Sequence, residues 1–384
     1  MQIYDVDMAM CMPAAMESMP MTMAMVRGNA FGVGISETGP RGKSAFASPN
    51  MVMGDLGRSF GQHYFNLDLM GTAERWTFPN NGYPELLQIG EENSQGQPYL
   101  DAQHPHSSPI MGLTLSDTVT LSDDNYLKIS IAPRGEATEG PIAFMHRPTG
   151  MINPDAPLGH HIGQDVAHIV STLAGASLKF GDTRIESSTY HGAEPQPENV
   201  DLPIGPLDSY DFRLIQNLSP KIFAMASYAY VTNPEPDAPS IAFENRYSAS
   251  LFSETPFCEK WVLNNALIYG AVTNYDQAAT LTSFAEEFLF QKDLDQLWGR
   301  VEVLQRTPAE LQIQTTSDPN VGQWVQAYTL GYTRTVGQWD SANLGLGISV
   351  TSDILPTDYQ ASYGGNSWTG KVFVQISGSH MWNL

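Results

Sequence analysis

Between Gly140 and Ile169 the chain reads GPIAFMHRPTGMINPDAPLGHHIGQDVAHI, which sets His146, His160, His161 and His168 beside Asp155 and Asp165. Imidazole and carboxylate are the usual ligands of borderline metal ions such as Zn(II) and Cu(II). Four prolines in the same thirty residues forbid a long helix or strand. A histidine-dense loop stiffened in this way is a candidate metal site. The plain alternative is a set of polar loop residues bonded to one another and to backbone. His104 and His106 lie in a second irregular stretch, LDAQHPHSSP, so six of the nine histidines fall in two loops.

A different chemistry opens the chain. In MQIYDVDMAMCMPAAMESMPMTMAM, Met8, Met10, Met12, Met16, Met19, Met21, Met23 and Met25 recur at short intervals around Cys11. Thioether and thiol are soft ligands that select Cu(I) or Ag(I) over hard cations. This spacing lets two or three sulfurs converge on one ion without a folded scaffold. The alternative is an apolar plug in which methionine fills gaps, although Pro13, Pro20 and the M-x-M steps fit no helical stripe.

Composition narrows the classes. Acids outnumber bases 41 to 19, for a formal charge of −22, which argues against nucleic acid and for cations as partners. The two cysteines, Cys11 and Cys258, exclude a disulfide scaffold, though a periplasmic pairing between them stays open. No run of 18 apolar residues provides a transmembrane helix. No basic segment followed by an apolar core opens the sequence, so either the numbering starts on a mature chain or the true start lies upstream.

The elements that must position these residues alternate with period two. LTLSDTVTL (113–121) puts Leu113, Leu115, Val119 and Leu121 on one face and hydroxyl residues on the other; NYLKISI, SYDFRLIQN, LWGRVEV and LGLGISV repeat the pattern. Such segments are strands with one apolar face. At about ten residues they are longer than the usual globular strand and right for a tilted membrane-spanning one. Sixteen can be placed, the first at 26–36, the sixth at 164–175 and the last at 370–382, an even number as in single-chain bacterial barrels. Every long connection (74–109, 134–163, 191–208, 307–323, 353–369) follows an odd-numbered strand, so all leave the barrel at one end.

The sequence therefore predicts an all-β transmembrane antiparallel barrel over residues 26–384, surrounded by outer-membrane lipid, with short periplasmic turns and long external loops. Residues 1–25 precede it as a periplasmic or lumenal tract. The histidine stretches occupy the two longest loops, which can fold inward. With Leu and Phe facing lipid, Met51, Met53, Met70, Asp55 and Asp68 line the lumen.

The run GYPELLQIGEE, then DAQHPH, GPIAFMHRP and NPDAPLGHH-x-x-QD-x-x-HI resembles a family of bacterial outer-membrane barrels. The pattern of that family is GYPxLxQxGE, RQHPHD and FMHRPSAxxNPDAPLGHHWQDxTHI. The resemblance covers essentially the whole chain. It implies an association with copper and heavy-metal handling, without an assigned activity, and by matching positions it points to His104, His106, His146, His160, His161, Asp165 and His168. This chain has Ala102 and Ser107 where Arg and Asp are usual, and Ile162-Gly163 in place of a single Trp. Its methionine-rich start is similar in composition to that of separate copper-resistance barrels.

The resulting expectation is an outer-membrane barrel that binds copper and assists its transport or resistance. Cu(I) would sit on the Met/Cys tract and Cu(II) or Zn(II) on the His/Asp cluster, with a periplasmic metal carrier as partner. A cation-preferring porin whose histidines fasten the loops is one alternative. A metal-dependent enzyme, with Glu91, Glu92 or Asp101 as base to a metal-bound water, is another. HHIGQD also fits the HHxxxD pattern of acyl transfer, without the surrounding α/β layout.

Overall fold

The computed structural model describes residues 4–5, 10–11, 22–202, 204–235, 240–257, 260–274, 280–316 and 318–384. The period-two segments form strands because closing a sheet on itself is the one way a strand can satisfy its backbone groups in lipid. In chain order they are β1 (Thr22–Glu37), β2 (Ser44–Ala47), β3 (Asn50–Phe60) and β4 (His63–Gly71). A hairpin follows, β5 (Tyr83–Glu92) and β6 (Pro98–Gln103), and then β7 (Ile110–Ser122), β8 (Asn125–Gly135), β9 (Val170–Phe180) and β10 (Thr183–His191). The chain continues with β11 (Ser209–Ser219), β12 (Ile222–Thr232), β13 (Phe243–Phe257), β14 (Trp261–Thr273) and β15 (Thr280–Lys292). It ends with β16 (Asp295–Arg306), β17 (Gln323–Trp339), β18 (Ala342–Ile354) and β19 (Trp368–Asn383).

All but β5 and β6 close one antiparallel barrel, sealed where β19 pairs with β1 from Thr369↔Glu37 to Asn383↔Met23. β2 pairs with β1 at Val33–Ser36 and β3 pairs with it at Thr22–Ala30, so they are one strand interrupted at Ser48-Pro49. That makes sixteen strands. Two expected boundaries move. β1 begins at Thr22 rather than near 26, so Met23 and Met25 belong to the wall, both buried. β9 begins at Val170 rather than near 164, because residues 160–168 turn inside the lumen and leave Asp165 and His168 in the loop.

The outer surface is apolar. Leu67, Leu115, Ile129, Ile185, Leu214, Leu267, Leu330, Ile348 and Val374 are exposed at mid-strand. Exposed aromatics ring both ends, Phe60, Phe180, Trp339 and Trp382 at the short turns and Tyr210, Phe243, Trp324 and Trp368 at the long loops. This banding is that of a bilayer-spanning barrel, with short turns at one end and long loops at the other. Asp55, Met53 and Met70 point inward and are buried.

The loops after β4 and β8 fold into the lumen and pack there. Leu86 and Leu87 of β5, with Leu158 and Ile162, join wall residues Val272, Leu281 and Leu304 in one apolar cluster. Buried wall charges hold the backbone of these loops. Arg306 donates to the carbonyl oxygens of Leu87 and Leu158, at 3.1 and 2.6 Å. Arg300 donates to those of Asp155 and Ala156. Arg147 forks onto the wall carboxylate Glu287 at 2.7 Å on both oxygens, while Asp155 takes Lys371 and Tyr83.

Candidate metal centre

Two inward segments bring the histidines together. The hairpin β5–β6 delivers His104 and His106, and Asp101 fixes it by accepting from Leu87 N, Tyr363 Oη and Arg41 Nε. The turn His160–Gln164 lies against the wall at Gly163, whose φ is +68°. A Cβ at Gly163 would come within 2.7 Å of Ala271 N and 2.8 Å of Tyr247 O, so only glycine lets the turn seat. Gly163→Ala should therefore destabilise the barrel by about 1–3 kcal/mol. The check is the temperature at which the folded gel band converts to the unfolded one, and an unchanged temperature would contradict the seating.

Five imidazoles form a closed ring. Centroid separations are 5.4 Å for His104–His106, 5.2 Å for His106–His168, 4.6 Å for His168–His160, 4.7 Å for His160–His161 and 5.8 Å for His161–His104. Three of the rings have Nδ1 close to an oxygen, His106 and His168 in hydrogen bonds and His104 in an ion-pair contact. His104 Nδ1 is 2.7 Å from Glu91 Oε2, His106 Nδ1 is 2.8 Å from Glu74 Oε2, and His168 Nδ1 is 2.9 Å from the Asp165 carbonyl oxygen. A neutral ring that donates through Nδ1 keeps its lone pair on Nε2. His106 Nε2 and His168 Nε2 nonetheless face each other at 3.1 Å. In that tautomer two lone pairs face each other, an arrangement that a proton shared between the rings or a metal ion beside them relieves. His160 adds to this: it is 6% exposed and its Nδ1 has no hydrogen-bond partner.

Carboxylates surround the ring. Glu91 stands between His104 and His161, with Oε1 3.7 Å from His161 Nδ1. Donor atoms of His160, Asp165 and His168 lie within 4.8 Å of one another, as do those of Glu91, His104 and His161, and those of His161, Glu194 and Glu235. Burial drives the two kinds of group in opposite directions. Loss of water, then the neighbouring rings, holds His160, His161 and His168 well below the usual imidazole range, and burial also lowers His104. Burial pushes Asp165 well above the carboxylate range, and burial with neighbouring acids does the same to Glu194 and Glu235. Burial thus favours the neutral form of His104, His160, His161 and His168, the form that ligates.

His146 stays outside the ring, with Nε2 on Glu136 at 2.7 Å. Met8, Met12, Met16, Met19, Met21 and Cys258 lie outside the described residues. Met10 and Cys11 sit in a two-residue strand paired with Tyr4–Asp5. Sequence reasoning missed Glu74, Glu194 and Glu235, which reach the ring from three different loops; proline beside the acid (Glu194-Pro195, Pro234-Glu235) is the one signal in common with the histidine loop. Below the ring a cavity of about 190 Å³ runs toward the short-turn end, with His168 and Asp165 in its roof and Met53, Met70, Asp55 and Asp68 on its wall. Met53 and Met70 pack there with Met111 and Ile169.

No protein-family model matches the chain, and no curated protein sequence does. Solved structures do match. OmpF of Salmonella typhi, in complex with daunomycin, superposes with a TM-score of 0.56 at 10% identity over 93% of this chain and 97% of its own. The anion-selective porin from Comamonas acidovorans gives 0.54 at 11% over 95% and 100%. A loop-deletion form of OmpT, an outer-membrane protein of Vibrio cholerae, gives 0.52 at 7% over 93% and 99%. The architecture is that of bacterial outer-membrane porins, and the chain is a porin-like barrel of the outer membrane.

Proposed function

We propose that this barrel binds a transition-metal ion, copper foremost, on its lumenal imidazoles and serves metal transport or resistance. The observation that carries the reading is the facing Nε2 pair of His106 and His168, each with its Nδ1 already committed. Histidines that ligate metals characteristically give the other ring nitrogen to a carboxylate or carbonyl. His104, His106, His160, His161 and His168 would hold the ion, with Asp165 or Glu91 neutralising it. The donor set suits Cu(II) or Zn(II). His146 drops out of the set. Copper handling also agrees with the family that the loop motifs resemble.

The N-terminal tract is the softer half of the proposal. Met8, Met10, Cys11, Met12, Met16, Met19 and Met21 would collect Cu(I) at the periplasmic side, from a periplasmic carrier, and Met23 and Met25 continue the thioethers into the wall. Because β1 starts at Thr22, the test removes residues 1–21 and no more. The truncated barrel should assemble, lose Cu(I) and keep Cu(II). Loss of neither ion would leave the methionines as filler.

A plain cation-preferring porin is the second reading, favoured by the fold likeness and by the acid-lined lumenal cavity. Planar-bilayer conductance separates the two. A large, metal-independent conductance supports the porin.

A further inference from the structure

The ring and its carboxylates supply more donors than one ion can use. His160, Asp165 and His168 make one triad, and His161, Glu194 and Glu235 make another that shares no residue with it. The two are joined through His160 and His161, adjacent in sequence with ring centroids 4.7 Å apart. The two triads therefore adjoin across one pair of neighbouring rings.

We propose that the centre holds two ions, an imidazole-rich position at His160, His168, Asp165 and His106, and a carboxylate-rich position at His161, Glu194 and Glu235. This deepens the metal reading above and rests on it. Two facts favour it over a single ion. His160 Nδ1 is buried without a hydrogen-bond partner while His168 Nε2 and His106 Nε2 already converge, so the first position is complete without Glu194 or Glu235. Glu194 and Glu235 come from separate loops, after β10 and after β12, yet both bring oxygens to His161. The two positions differ in softness: imidazole suits copper or zinc, and carboxylate suits a harder ion such as Zn(II) or Mn(II).

The test counts Zn(II) in the full-length protein in detergent by mass spectrometry, after dialysis to remove loosely held ion. A variant with His106, His160, His161 and His168 all alanine sets the number retained by the N-terminal tract. Above that baseline the wild type should hold two ions per chain, and Glu194→Gln/Glu235→Gln should hold one. Copper gives a second readout. Two neighbouring Cu(II) ions couple, so the wild type should show much less EPR intensity than its copper content, and the Glu194→Gln/Glu235→Gln variant should recover full intensity. Heat-modifiable gel migration verifies that each variant is folded; where the double glutamine variant does not fold, the wild-type count and spin intensity decide alone. One ion in the wild type, two ions with full EPR intensity, or two ions in the glutamine variant would overturn the dinuclear assignment and leave the metal reading standing. No ion above the baseline in the wild type would remove both.

Discussion

Alanine at Arg147 should cost the barrel about 3–5 kcal/mol, the usual consequence of stripping one partner from a buried ion pair. Arg147 and Glu287 are fully buried, and the guanidinium gives two bonds of 2.7 Å to the carboxylate and one of 2.8 Å to the Ile142 carbonyl. Thr149 Oγ1 also donates to Glu287, so two residues of the loop after β8 grip one wall residue of β15. Without Arg147, Glu287 keeps Arg300 and Thr149, and the Ile142 carbonyl loses its donor. Arg147→Lys should recover only part of the loss, since an ammonium cannot reproduce the two-pronged geometry. Urea titration of the folded gel band gives the measurement. A midpoint unchanged in Arg147→Ala would mean that the loop is held elsewhere.

The second large effect concerns ligation. Glu74→Gln should weaken Cu(II) or Zn(II) binding by about 10–100-fold, the range for removing a group that orients a ligating imidazole. Glu74 accepts from both the backbone N and Nδ1 of His106, so it sets the direction of Nε2 without touching the ion. His106→Ala should weaken binding further than Glu74→Gln, because it removes a donor. His146→Ala, whose ring sits on Glu136 away from the others, should leave affinity unchanged. Competition with a colourimetric chelator ranks the three variants. Equal affinity for His106→Ala and His146→Ala would break the link between the ring and the metal.

The barrel was legible because lipid imposes a simple rule: one face of each strand must be apolar, and the alternation in LTLSDTVTL or LGLGISV records it directly. The strand start misplaced near 164 shows where that rule stops. HHIGQD is pressed between loops and wall, so both of its faces are buried and no exposed polar face marks it off from a strand. β5 escaped notice as an element for the same reason, since nearly every residue of YPELLQIGEE is buried. Histidine density pointed to the loops that meet, but not to which rings meet. His146 is one residue from Arg147, whose grip on Glu287 fixes that part of the loop beside the wall while the turn at 160–168 reaches the ring. Glu194 and Glu235 are supplied by closure of the barrel, which places four distant loops over one lumen, and Glu74 by the folding of its own loop back onto His106; no local pattern encodes either.

X-ray absorption on Zn(II)-loaded, full-length protein in detergent tests the central claim most directly. Ligation by the lumenal ring predicts a first shell of nitrogen and oxygen at about 2.0–2.1 Å with the multiple scattering of several imidazoles, lost in His106→Ala/His168→Ala. A shell dominated by sulfur at about 2.3 Å, or one unchanged in that variant, would contradict it.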